Sequence, residues 1–193
     1  MKFRMCAIAT LLLSLMWVGA PSGQAPAGAA FAQENTPANL QALLQRVFRY
    51  IHADKSLDQA WGLFRMLGPS EARLRRALRD DVAPDVLAKI IEYHKGFEAW
   101  EGQLAKLAGP EQTVVKVHGA STEEIRQHQQ GSVSYENFPG GARQMAEQIL
   151  RPGVIFYEAE FLEPGQSRGM KYHLFYWDGK QWSMLGPVWR VLQ

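Results

Sequence analysis

The sequence predicts an α+β domain in which N-terminal helices pack on a mostly antiparallel C-terminal sheet. Three observations carry this. Between Pro37 and Leu107, apolar residues recur at the spacing of a helix face. From Thr113 onward, β-branched and aromatic runs take over. The last two of those runs meet at Asp178-Gly179, the best hairpin signal in the chain.

The helical half reads in order. Thr36-Pro37 is an N-cap followed by proline at the first helical position. Leu40, Leu43, Leu44, Val47, Phe48 and Ile51 then form one stripe. Ser56 with Gln59 has the spacing of a capping box for a second helix carrying Leu57, Trp61, Phe64 and Leu67. Gly68-Pro69 stops it, and Ser70 caps a third with Leu74, Ala77 and Leu78 inward. Pro84 opens a fourth, with Leu87, Ile90, Ile91 and His94 on one stripe and Gly96 as its stop. Phe97, Trp100, Leu104 and Leu107 suggest a fifth, weakened by Gly102 and closed by Gly109-Pro110.

The second half begins with a strand over 113–117. Ser121 to Glu124 carries a capping box for a short polar helix. A short strand is read over 133–135, and Pro139-Gly140-Gly141 leads into a helix with Ala142, Met145, Ala146, Ile149 and Leu150. Three strands follow, over 154–162, 170–177 and from 181 to 185 or beyond. Strict alternation puts His173, Phe175 and Trp177 on one face with Trp182 and Met184. Tyr172, Leu174 and Tyr176 take the other with Ser183 and Leu185. Both faces are apolar. Helices bury one; more chain, a partner or a pocket must cover the other.

Residues 1–32 have the layout of a secretory signal peptide. Lys2 and Arg4 precede the uncharged run from Met5 to Val18, and a small-residue stretch ends in Ala30-Phe31-Ala32. The run is shorter than the roughly 20 residues of a membrane span. The expected mature protein is a single domain over 33–193, periplasmic or secreted, without a stable membrane span. Lys2 and Arg4 account for the whole formal excess of +2. The remainder is balanced, which gives no reason to seek nucleic acid as a partner. Arg73, Arg75, Arg76 and Arg79 cluster, but Asp80 and Asp81 balance them as a solvated helix face. The only cysteine, Cys6, lies inside the leader, so the mature chain has no disulfide, thiolate metal site or cysteine nucleophile.

The chain closes on Phe-Tyr-Trp-Asp-Gly-Lys-Gln-Trp-Ser-Met-Leu-Gly-Pro-Val-Trp, residues 175–189. A long strand, an Asp-Gly turn and a second strand opening with tryptophan resemble the last hairpin of small bacterial NTF2-like proteins, the ketosteroid-isomerase-like or SnoaL-like group. The resemblance covers the last forty or so residues and the helix-then-strand order. It implies a cone of helices wrapped by a curved sheet, used as an enzyme pocket, a ligand cup or a scaffold. The helix-rich first half and the stretch 113–150 depart from that group. The isomerases' Asp/Tyr pattern is not identified here, so the resemblance transfers no residue roles.

Candidate chemistry centres on three residues. Glu158 and Glu160 alternate along one strand and share a face, where two carboxylates can do acid/base work. The same alternation also reads as a solvent-facing edge, with Ile155, Tyr157, Ala159 and Phe161 inward. His173 sits mid-strand among aromatics, either as a general base in an apolar cup or as a packed core histidine. Phe175, Trp177 and Trp182 are candidate ligand-stacking residues, although core packing explains most of these aromatics with no ligand. No histidine pair has metal-ligand spacing, and Ser121 beside His118 lacks a nucleophile elbow. No metal or cofactor is expected.

Three functions follow as expectations. The first is an exported, non-enzymatic domain binding a small apolar ligand or an envelope protein. The second is an NTF2-like enzyme using His173 or the two glutamates in an apolar pocket. The third is a structural domain, a homodimer through the second sheet face.

Overall fold

The computed structural model describes residues 34–106 and 109–192. The leader, with Cys6 and the Ala32 boundary, lies outside the described residues, as do Leu107 and the side chains of Phe97 and Trp100.

The N-terminal helices form as the sequence dictates. Helix α1 spans Pro37–His52, and the Thr36 hydroxyl accepts the Asn39 amide at 3.3 Å. Its buried residues are Leu40, Leu43, Leu44, Val47, Phe48 and Ile51, the stripe read from the sequence. Helix α2, Leu57–Arg65, buries Trp61 and Phe64, but Ser56 makes no side-chain cap, so the expected box does not form. Helix α3, Glu71–Ala77, is capped by Ser70, and α4, Pro84–Lys95, buries Leu87, Ile90 and His94. The expected fifth helix is instead a 3-10 segment, Gly96–Lys106. Gly96 and Gly102 withhold the propensity a full α-helix needs.

Strand β1 runs Val114–Ser121, well past the expected end. It does so because it pairs along its whole length with β2, Ile155–Leu162, from Val114↔Leu162 to Ser121↔Ile155. Helix α5, Thr122–Gln127, starts on the expected capping box between Ser121 and Glu124. The expected strand over 133–135 is helix α6, Val133–Asn137. Ser132 caps it, and Val133 and Tyr135 are both exposed, so no second strand is there to hold them extended. Helix α7 is Gly140–Gln148. Strands β3, Met170–Trp177, and β4, Trp182–Met184, complete the sheet, and Val188–Val191 is a second 3-10 segment. The hairpin pairs Trp177 with Trp182, and Gly179 supplies the positive φ of its four-residue loop.

The strand order is β1-β2-β3-β4, antiparallel throughout, so the chain is α+β. The expectation of helices on one face is corrected: both faces are covered. On one, α1 and α2 pack over Val115, Tyr157, Ala159, Phe161, Phe175 and Trp182. On the other, α3, α4, α5 and α7 pack over Ala120, Phe156, Leu174, Tyr176 and Leu185. A sheet apolar on both sides has no other stable arrangement in water unless a partner supplies the cover. No helix among the described residues is long and apolar enough to cross a membrane.

The predicted alternation of β3 also needs correction. Tyr157 pairs with Phe175 and Ala159 pairs with Tyr172, so His173 and Leu174 together oppose Glu158. This is a β-bulge, and the extra residue shifts the phase of everything before it. Tyr172 therefore packs with Phe175 against the first core, and His173 turns to Glu158. Leu174 sits at the bulge with φ +57 and no exposed surface, a rare conformation for a leucine.

Candidate functional site

The bulge gathers titratable groups on the second face. Glu158 is fully buried, and Glu160 nearly so at 5% exposure, which overturns the solvent-facing reading of β2. Both point away from Tyr157 and Ala159, toward the side covered by α3 to α7. Two rows cross the strands there. Lys116, Glu160 and Lys171 stand in register, as do His118, Glu158 and the bulge pair His173-Leu174. Each row has its carboxylate on the middle strand.

Glu158 has two partners. Its Oε1 accepts the Leu174 amide at 3.2 Å, the donor that the bulge removes from the ladder. Its Oε2 is hydrogen-bonded to His173 Nδ1. Burial pushes the Glu158 carboxyl up; the His173 bond and charge, the Leu174 amide and Lys171 oppose this without cancelling it. Glu160 acts elsewhere. Its Oε1 accepts the Gly169 amide at 2.7 Å and ties down the 163–169 loop. Gly169 must be glycine, because a Cβ there would lie 1.9 Å from the Phe161 carbonyl oxygen. The two glutamates thus share a face, but their carboxylates have separate partners. His118 is half-buried; burial, then the charge of Lys171, pulls its ring down.

His173 and Lys171 are the members of this group that reach a cleft. A concavity of about 380 Å³ opens between β3, the end of α4, α2 and the C-terminal turn. Its wall includes Lys171, Tyr172, His173, Tyr93, His94 and Arg190, with Phe64 and Met184 as apolar surface. The backbone carbonyl of His173 is fixed by the Gly186 amide at 3.2 Å, and its ring lies 5.4 Å from that of Trp189. Burial pulls the His94 ring down to about 4, so it is neutral at pH 7. Burial pushes the Tyr172 phenol up to about 12, so it stays protonated. The volume falls at the small end of the roughly 300–1,000 Å³ of small-molecule sites.

The candidate stacking residues lie elsewhere. Phe175 and Trp182, each 1% exposed, belong to the first core, where Trp182 meets Tyr157 edge-on. Trp177 borders an open basin with Arg75, Arg76 and Arg151. Arg75 and Arg151 there are already paired with Glu71 and Asp80. A second concavity, of about 20 Å³, is lined by apolar side chains including Phe48, Phe64, Phe161, Tyr172 and Phe175. It shares Phe64 and Tyr172 with the cleft. Among the described residues, no group of three or more His, Cys, Asp or Glu side chains is placed to hold a metal ion.

Sequence reasoning missed Lys171, Tyr93 and Arg190. Lys171 is visible only once β2 and β3 are in register, and Arg190 and Tyr93 carry no local signal at all. No family model, curated protein or solved structure matches the chain.

Proposed function

We propose that this chain is an exported domain that binds a small organic molecule in the cleft beside His173. The observation that carries the reading is the position of His173. One ring nitrogen is held by a fully buried carboxylate, while the residue forms part of the wall of a mostly apolar concavity. Concave apolar surface with a few convergent polar groups is the physical signature of a small-molecule site. The export part rests on the leader layout of residues 1–32. The closing hairpin's likeness to NTF2-like proteins agrees with a cup of this kind. The homodimer reading loses its motive, since the chain's own helices cover both sheet faces.

The test is nuclear magnetic resonance of the histidine rings while a library of small apolar and amphiphilic molecules is added. Ligands should shift His173 and His94 together and leave His52 and His128 unmoved. A library whose binders shift only the distant histidines would overturn the site.

A second reading, acid/base catalysis, is favoured by the elevated Glu158 carboxyl on the His173 ring. His173 would accept a proton from the bound molecule at Nε2, and Glu158 would stabilise the resulting imidazolium. A ligand with an acidic C–H should then exchange deuterium with D₂O in the presence of the protein, and not with His173→Ala. Binding with no exchange would leave the non-enzymatic reading alone.

A further inference from the structure

We propose that the ligand is an amphiphilic organic acid, a single carboxylate on an apolar body. This rests on the cleft being a binding site and adds the chemical class of its occupant. The argument is one of charge. Lys171 and Arg190 both line the cleft, and no described lining residue is acidic. The two carboxylates of β2 are engaged, Glu158 with His173 and Leu174 and Glu160 with Gly169. Neither cation makes an ion pair among the described residues. Among the described residues, Lys171 Nζ meets Asn137, through long contacts of 3.4 and 3.5 Å to its side-chain and backbone oxygens. It therefore keeps donors free for an anion. Arg190 is exposed at the rim and close enough to Tyr93 to counter the rise that burial gives that phenol.

The rest of the wall selects against a bare anion. Phe64 and Met184 offer nothing to a polar group. Phe64 and Tyr172 also line the small apolar pocket of about 20 Å³, so their end of the cleft is the apolar end. A molecule that satisfies both halves has its charge at Lys171 and Arg190 and its hydrocarbon toward Phe64. Two cations and one small apolar wall suit a monocarboxylate of medium length better than a polyanion.

The experiment compares three probes of equal chain length on the full chain: decanoate, 1-decanol and decyltrimethylammonium. Acetate and inorganic phosphate serve as head groups without a tail. Decanoate should bind roughly tenfold or more tighter than decanol, the worth of a charge-assisted hydrogen bond. It should shift the His173 and His94 rings, and decyltrimethylammonium should bind weakest. Lys171→Met and Arg190→Met should each weaken decanoate severalfold and leave decanol unchanged, which also reports that the variants are folded. Lys171→Gln serves as a second variant should the methionine change disturb folding. Equal binding of decanoate and decanol at the His173 ring would overturn the acid class and leave the cleft standing. Tight binding of acetate or phosphate would overturn the amphiphile. If no probe moves His173 or His94, the class falls; if the wider library also leaves these rings unmoved, the cleft falls with it.

Discussion

Arg73 should be the residue whose loss most loosens the terminal hairpin. It lies on α3, and its guanidinium uses all its faces. Nε donates to Asp178 Oδ2 at 2.5 Å, and Nη1 to the Met66 and Gly68 carbonyls at 3.0 and 2.9 Å. Nη2 donates to the Trp182 carbonyl at 2.5 Å and to the Ser183 hydroxyl. Asp178 is 5% exposed and Arg73 18% in their side chains, so the pair is largely withdrawn from water. Breaking such a pair costs about 3–5 kcal/mol, because a charge is left buried without its partner. Asp178 keeps the Lys180 and Gln181 amides at 2.9 and 3.0 Å, which places Arg73→Met at the lower end, about 3 kcal/mol. In a chain of this size that is a melting decrease of roughly 6–12 °C.

The pH dependence has a definite sign. Burial alone would raise Asp178; the Gln181 and Lys180 amides and the Arg73 bond and charge outweigh it and hold the carboxyl below its ordinary 3.8. A lowered carboxyl contributes stability above the unfolded value and loses it as pH falls through the folded one. Arg73→Met should shrink that acid-sensitive part. Arg73→Lys should recover little, since one ammonium cannot reproduce five donors in a planar fork. The assay is urea unfolding followed by tryptophan fluorescence, with Asp178→Asn closing a double-mutant cycle. A stability within about 0.5 kcal/mol of the parent, or zero coupling to Asp178, would refute the reasoning.

Three further changes test other parts of the structure. Phe48→Ala in the first core should cost roughly 3–5 kcal/mol, read by calorimetry; an unchanged melting temperature would mean that α1 is misplaced. Gly119→Ala sets a Cβ 2.7 Å from the Tyr157 ring, which must move and strain its 2.8 Å bond to Asn35. About 1–3 kcal/mol should be lost on denaturation. The raised Glu158 carboxyl favours folding most below its ordinary 4.5, and that contribution disappears as pH rises through the folded value. Glu158→Gln cannot ionise, so its stability relative to the parent should improve with pH across the window just above 4.5; a pH-independent difference would count against a buried charge there.

The helical half of the fold was legible because each helix carries its own signal. Caps at Thr36, Ser70 and Ser121 and the stripe from Leu40 to Ile51 are local properties of the chain. Leu44, Phe48, Trp61, Ile90 and Leu174 are buried as their spacing requires. What escaped was pairing. The reach of β1 to Ser121 depends on β2, more than thirty residues away. The bulge at His173 depends on Glu158, and no alternation rule within β3 shows it. The site inherits this division. His173 and Glu158 were visible as chemistry-bearing types, but their contact, and the role of Lys171, exist only across strands.

The bulge also separates a structural from a functional account of Glu158. An inserted residue strands one amide, here that of Leu174, and a buried amide needs an acceptor. The side-chain carbonyl of glutamine would meet that need without a buried charge. Glutamate adds a desolvation cost, visible in its raised carboxyl, that the Leu174 bond does not require. What the second carboxylate oxygen gains is His173, a residue of the cleft wall whose Nδ1 it fixes. Replacing Glu158 with glutamine therefore separates the two roles. The bulge should persist, with the Leu174 amide still protected from hydrogen exchange, while ligand binding in the cleft weakens because His173 Nδ1 is no longer held by a carboxylate. Loss of Leu174 protection with unchanged ligand binding would reverse the assignment and make Glu158 a brace for the strand.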